Sequence, residues 1–406
     1  MRPADKLEAP PSPSIVLAET YGAHNYHPLP VVLVRGEGVW VEDEAGLRYM
    51  DMLSAYSALN HGHRHPKILA ALAEQAGKIT LTSRAFHNDQ MGPLLAQLCA
   101  HTGFESALLM NSGAEAVETA IKAARKWGYT TRGVPEGRAK ILVADGNFHG
   151  RTTTIVGFSS EAQYRQGFGP FTPGFAQVPY GDTDALEAAF DEHTVAFLVE
   201  PIQGEAGIVL PPEGYLRRAR ELCDHHGALL FVDEIQTGLG RTGRDFGYQW
   251  SDIRVDGMTV GKALGGGVLP ISAFLADRRV MDVFTPGDHG STFGGNPLAC
   301  AVARAALEVL RQERLAERAQ EQGAWFIEAL RGLRSPHVRE VRGRGLLIGV
   351  EIHRASGPAR PFCERLMRLG LLCKETHGQV IRFAPPLIVS RSDLEWAMKC
   401  IAQVLS

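Results

Sequence analysis

The sequence has little charge bias for its 406 residues: 42 Lys and Arg stand against 45 Asp and Glu, a formal net charge of −3. That excludes the basic field a nucleic-acid binder needs and the acidic block of a solvating tail, and it favours small-molecule partners. No apolar run reaches the roughly 20 residues that span a bilayer. The opening stretch MRPADKLEAPPSPSI has neither the apolar segment of a secretory signal nor an Arg/Ser-rich amphipathic pattern. The expectation is a cytoplasmic protein without membrane or nucleic-acid partners. Cysteine is sparse too. Cys99, Cys223, Cys300, Cys363, Cys373 and Cys400 show no CxxC and no dense spacing, which excludes a disulfide-stapled small fold and implies reduced thiols. No internal repeat is present.

What is present is enough chain for a large domain plus a smaller one. Residues 1–13 are proline-rich and read as a loose arm. Within 14–50, VVLVRGEGVWVEDEAGLRYMDML alternates β-branched residues with glycine turns and predicts an antiparallel meander belonging to the small domain. Across 51–300, short apolar runs (ALLM, KILVADG, VAFLVEPI, ALLFVDEI, GMTVGKA) alternate with helical patterns, the mark of an α/β domain with a mostly parallel central sheet covered by helices. Residues 301–406 predict a smaller α+β domain. Its parts are one long helical pattern from Ala299 to about Leu333, the strand-like VREVRGRGLLIGVEI, a helix near PFCERLMRLG and a strand at VIRFAPP.

In VDGMTVGKALGGG an apolar strand delivers Lys262 into a glycine-rich turn. A lysine buried at one end and approachable at the other loses its charge more readily, and a neutral amine attacks an aldehyde. Taken alone, a lysine at a strand end is more often a surface residue. Upstream, ALLFVDEIQTG ends a strand in Asp233 and Glu234, whose side chains point to opposite faces, so only one faces a site. Asp233 is the choice: a carboxylate there can keep a pyridine nitrogen protonated and make the ring an electron sink. A nucleotidase would need GxxxxGK[ST], which is absent.

Gly238, Gly240 and Gly243 match GxGxxG after a strand and raise a nicotinamide-linked oxidoreductase as a rival. The following RDFGYQWSD has no helical period, so the dinucleotide fingerprint is incomplete. In ALLMNSGAEAVETAIKAARKWG, Ser112, Gly113 and Ala114 stand between a strand and a helix whose apolar face repeats at Val117, Ile121 and Ala124. Such a helix N-terminus suits a phosphate, although Ser-Gly there is commonly just an N-cap. HGSTFGGNP adds the hydroxyls of Ser291 and Thr292, and GNFHGR offers Phe148 for stacking on a ring. His61, His63 and His65 share a face if extended, yet no carboxylate or cysteine nearby in sequence completes a tetrahedral set, so no metal is assigned.

Lys262 after its strand, Asp233 in VDEIQTG, the NSGAEA turn and GSTFGGNP together resemble the class III aminotransferases of pyridoxal phosphate (PLP) fold type I, the aspartate aminotransferase-like fold. The resemblance runs from about Tyr21 to the C-terminus. YGAHNYHPLPV, SAYSA, LTSRAF, GFGPFTPGF, VEPIQGEAG, GDHGST and THGQVIRFAPPL resemble the branch that acts on ornithine. The resemblance implies PLP as cofactor in the large domain of residues 51–300. Lys262 would link covalently to its aldehyde, Asp233 would pair with its ring nitrogen, Gln236 would lie near its ring oxygen, and Phe148 would stack on it. It further implies a homodimer with active sites at the interface, a higher oligomer left open, in which Thr292 reaches the neighbour's cofactor phosphate. Substrate roles are also implied: Tyr26 and Arg151 on the α-amino and carboxylate groups of ornithine, Tyr56 lining the pocket, Arg382 on the carboxylate of 2-oxoglutarate, and Glu205 covering Arg382 when ornithine is bound. His149 departs from relatives that carry tryptophan there. Sister enzymes for N-acetylornithine, 4-aminobutyrate or lysine, and a PLP-binding protein without turnover, are the alternatives.

Overall fold

A seven-stranded sheet runs in the order Ser106–Met110, Ser272–Ala276, Gly257–Val260, Leu229–Asp233, Thr194–Val199, Lys140–Ala144 and Phe175–Val178. All neighbours are parallel except Ser272–Ala276, which is antiparallel to both of its own. The structure, a computed structural model, describes residues 11–406. Strands Thr194–Val199 and Leu229–Asp233 are buried at every position, as expected where helices cover both faces. The period of two divides them between two cores: Leu230 and Val232 pack on one face, Leu229 and Phe231 on the other with Val117, Ile121 and Ala124 of the helix Gly113–Thr130. Each such side chain contributes about 1.5–3 kcal/mol by leaving water.

The meander is present as Leu33–Glu37, Trp40–Asp43 and Arg48–Asp51, and Leu371–Leu372 adds to it in parallel, tying the two ends of the chain together. A second small sheet is antiparallel: Val338–Arg344, Leu347–Ile352, Val380–Phe383 and Lys374–Thr376. The proposed loose arm falls mostly on residues 1–10, outside the described residues. Its last residue, Pro13, instead begins the helix Pro13–Tyr21, where Ser12 Oγ accepts from the Ile15 N–H and proline occupies a position whose amide needs no partner.

The single long helical pattern after residue 299 is two helices, Pro297–Gln312 and Leu315–Arg331. Arg314 between them is left-handed (φ 51°), a break that the uninterrupted apolar period hides. The second helix approaches a hairpin turn so closely that a Cβ at Gly323 would lie 2.0 Å from the Gly345 carbonyl oxygen.

Candidate active site

The carboxyl ends of the parallel strands converge on one cavity, as open α/β sheets predict. Strand Gly257–Val260 leads through Gly261 to Lys262, whose backbone is left-handed (φ 44°). Its amine opens into a cavity of about 190 Å³ shared with Gly113, Ala114, Phe148, Asp233 and Gln236. Among the described residues that amine has no hydrogen-bond partner. Burial lowers its pKa, and the nearby carboxylates of Glu205 and Asp233 oppose this only in part.

Asp233 ends its strand facing the cavity. Its Oδ1 accepts from Ile235 N (3.0 Å) and Thr259 Oγ1 (3.1 Å), and His149 Nδ1 donates to Oδ2 at 2.7 Å. Glu234 points away, accepting from Thr237 Oγ1 and from the N–H groups of Gly247 and Tyr248. Burial pushes it up to about 7. His149, visible in the sequence only as a departure from relatives, and Glu200, no candidate there, both belong to this site. Burial alone would lower His149, but the Asp233 carboxylate holds its pKa above the ordinary value. Glu200, which lines the same cavity, is pushed up to about 7 by burial and accepts from Phe148 N (2.9 Å) and Gly204 N (3.3 Å). The signal for it was in the sequence: VAFLVEPI, like ALLFVDEI, ends an apolar strand in an acid.

At the helix Gly113–Thr130, Ser112 Oγ accepts from Glu115 N (3.2 Å) while Glu115 Oε2 accepts from Ser112 N (2.8 Å), a complete capping box. The N–H groups of Gly113 and Ala114 have no partner among the described residues, and both residues line the cavity. Ser112 does not line it. Ser291 and Thr292 lie elsewhere: Ser291 borders a separate cavity with Arg84 and accepts from Asn111 Nδ2 (2.7 Å), and Thr292 is exposed.

A second cavity of about 400 Å³ shares Phe148 and Glu205 with the first and is walled by Tyr26, Tyr56 and Tyr164. Behind it Arg382 is 2% exposed and forms a bidentate pair with Glu205, at 2.7 and 2.9 Å. Burial would raise Glu205, yet Arg382 holds it down at about 2. Gln236 Nε2 donates to Glu205 Oε1 (3.2 Å), and Thr376 Oγ1 to its carbonyl oxygen (2.6 Å). A Cβ at Gly204 would meet the Gln236 amide, so glycine there makes room for it. Tyr56 presents its ring to Arg382 at 5.4 Å from a turn, Ser54–Ser57, in which all four residues are left-handed. Such backbone costs roughly 1–2 kcal/mol per residue and is held here partly by Asp51, which accepts from Leu53 N and Ser54 N. Arg151 lies beside Phe148 and Tyr164 and lines neither cavity; Tyr26 is 67% exposed.

The three histidines of HGHRHP separate. His61 Nε2 contacts the Ala306 carbonyl, His63 pairs with Asp51 and His65 with Glu313, carboxylates that sequence proximity did not reveal. Around Gly238, Gly240 and Gly243 the chain forms buried turns, and Arg241 donates to Leu346 O, Pro385 O and Asn60 Oδ1. No helix opens at Gly243.

A free buried amine, a carboxylate, an aromatic face and bare N–H groups at a helix N-terminus match in kind the aldehyde, ring nitrogen, ring face and phosphate of PLP. The known proteins agree. The family model described as aminotransferase class-III matches residues 21–405. The chain is 59% identical over 387 residues to an ornithine aminotransferase from Brevibacillus brevis, covering 95% of this chain and 96% of that protein. An ornithine aminotransferase structure from Toxoplasma gondii, described with partial occupancy of PLP at its active site, superposes with a TM-score of 0.95 at 45% identity, over 97% of this chain and 93% of that one. An acetylornithine aminotransferase from Elizabethkingia anophelis gives 0.87 at 47% identity, over 97% and 98%. The chain belongs to the class-III aminotransferases, enzymes whose cofactor is pyridoxal phosphate.

Proposed function

We propose that the chain moves the δ-amino group of L-ornithine to 2-oxoglutarate, giving glutamate 5-semialdehyde and L-glutamate in two alternating half-reactions. The observation that carries this reading is the buried Arg382 covered by Glu205, with a second arginine, Arg151, nearby. One site must hold a terminal amine in one half-reaction and an α-keto carbon in the other, so the substrate carboxylate sits at two distances. Two guanidinium groups serve two distances, and each fixes a carboxylate in position and orientation. An uncovered Arg382 would bind the ornithine carboxylate and present the wrong amine. Glu205 removes that option until a substrate brings a second carboxylate to replace it.

Bound PLP supplies an aldehyde for the amine and a ring that spreads the charge left when a substrate proton departs. Asp233 would hold a proton on the ring nitrogen, with His149 Nδ1 and Thr259 Oγ1 keeping its carboxylate in place. Gln236 would donate near the ring oxygen, Phe148 would cover the ring face, and the free N–H groups of Gly113 and Ala114 would hold the phosphate. Lys262 would hold the aldehyde, and its amine, when free, would move the proton at the substrate δ-carbon. Tyr26, Tyr56 and Arg151 hold the far end of ornithine.

We read the chain as a cytoplasmic homodimer, with Ser291 and Thr292 directed to the partner's phosphate site. The exposed apolar side chains of Leu33, Val34, Ile79, Phe86 and Phe293 and the place of Ser291 in a cavity separate from that of Lys262 support this, as do free cysteines. Residues 51–300 are the cofactor domain on this reading, with 14–50 and 301–406 forming the small one. The acetylornithine aminotransferase likeness favours a second reading, N-acetylornithine as donor. The test mixes holoenzyme separately with L-ornithine, N-acetylornithine, 4-aminobutyrate and lysine and follows the cofactor absorbance. Ornithine converts the aldehyde form fastest; preference for another donor overturns the substrate reading and leaves the family intact.

A further inference from the structure

Arg151 differs from Arg382 in how its charge is held. Arg382 is buried and paired with a carboxylate, whereas among the described residues Arg151 has aromatic neighbours alone. Its guanidinium carbon lies 4.2 Å from the Tyr164 ring centroid and 5.4 Å from that of Phe148. The two rings meet edge to face at 6.0 Å and 78°. Tyr164 comes from the short helix Ala162–Arg165 and walls the second cavity, which Phe148 joins to the first. Its hydroxyl makes no hydrogen bond among the described residues.

A ring over a guanidinium holds the plane and leaves the N–H edge open, so Arg151 stays charged, oriented and uncommitted. A carboxylate partner in its place would have to be displaced by every substrate. We propose that Tyr164 is a positioning residue for ornithine: its ring fixes Arg151 so that the guanidinium edge receives the α-carboxylate, and it thereby sets the half-reaction in which the δ-amine enters. The proposal rests on the reading of Arg151 as that carboxylate's anchor.

The test uses holoenzyme of wild type, Tyr164→Phe, Tyr164→Leu and Arg151→Leu. Cofactor absorbance is followed on adding L-ornithine and, separately, L-glutamate, and melting temperatures are measured. Tyr164→Phe keeps the ring and stays within about twofold of wild type for both donors. Tyr164→Leu raises the half-saturating ornithine concentration about fivefold to tenfold, the range a single cation–π contact carries. It leaves the melting temperature nearly unchanged, and its crystal structure shows the Arg151 guanidinium turned from its wild-type plane. A guanidinium still in its wild-type plane in Tyr164→Leu, or a melting temperature lowered by several degrees, would reveal a structural role and overturn the proposal. An unchanged ornithine response in Tyr164→Leu, with Arg151→Leu still defective, overturns the clamp and leaves the anchor reading standing. An unchanged ornithine response in Arg151→Leu overturns both.

Discussion

Glu205 and Arg382 meet end to end, Oε1 2.7 Å from Nη1 and Oε2 2.9 Å from Nη2, so the carboxylate occupies the whole fork of the guanidinium. On the proposed reading a substrate carboxylate would reach Arg382 only by replacing Glu205, and a glutamine at 205 would hold the fork less firmly because it lacks charge. Glu205→Gln is therefore expected to release ornithine's α-amine into the reaction. The ratio of δ- to α-transfer, read by NMR of the products, falls about tenfold or more, in keeping with the several kcal/mol that desolvated charge pairs carry. An unchanged ratio would remove the gate from the mechanism.

The same pair predicts a pH response. Glu205 has a folded pKa of about 2 against an ordinary 4.5, a depressed carboxylate. Its contribution is complete above the unfolded value and is lost only as pH falls toward the folded one. The δ-preference should be flat from about pH 6 to 9. A preference that titrates near neutrality contradicts the pairing.

Lys262 is depressed as well, and for a lysine that shift costs stability. Burial depresses its pKa below 10.5, so the unfolded chain binds the extra proton over the interval between the folded value and 10.5. Stability of the apoprotein should rise with pH across that interval, because the penalty for a buried charge is relieved. Lys262→Met apoprotein is expected to be more stable than wild type at neutral pH, with the difference shrinking as pH approaches 10.5. Urea unfolding at several pH values measures it, and a gap that widens with pH would contradict the sign.

His149 supplies a fourth prediction. It donates to the charged Asp233 from a fully buried position, and hydrogen bonds to charged groups are worth roughly 1.5–3 kcal/mol. His149→Phe should lower kcat about tenfold or more with little change in the ornithine KM, since His149 holds the acid and does not line the second cavity, where this reading puts the far end of ornithine. Equal loss in both constants would place its role elsewhere.

Gly323 offers a test of packing alone. A methyl group there meets the Gly345 carbonyl at 2.0 Å, backbone that cannot turn aside. Gly323→Ala is expected to cost about 1–3 kcal/mol of stability, seen as a lower melting temperature, with ornithine half-saturation unchanged in the protein that stays folded.

The strands and the covered parallel sheet were legible because fully buried runs such as VAFLV and LLFVD carry their own signal, and because Lys262 and Asp233 close two of them. The break at Arg314 was not: an apolar period continues through a left-handed residue whose side chain fits either pattern. The HGHRHP histidines looked solitary since Asp51 and Glu313, their partners, arrive through tertiary folding. Ser112 shows the limit of motif reading: its side chain is committed to the capping box, and the bare N–H groups that face the cavity belong to Gly113 and Ala114. The left-handed turn at Tyr56 left no trace in SAYSA, which contains none of the glycine that such backbone favours.

The most direct measurement reduces the PLP-loaded holoenzyme with borohydride, digests it and locates the modified residue by mass spectrometry. The account predicts the label on Lys262 and on no other lysine. A label on a different residue, or none in a protein that has taken up the cofactor, would contradict it.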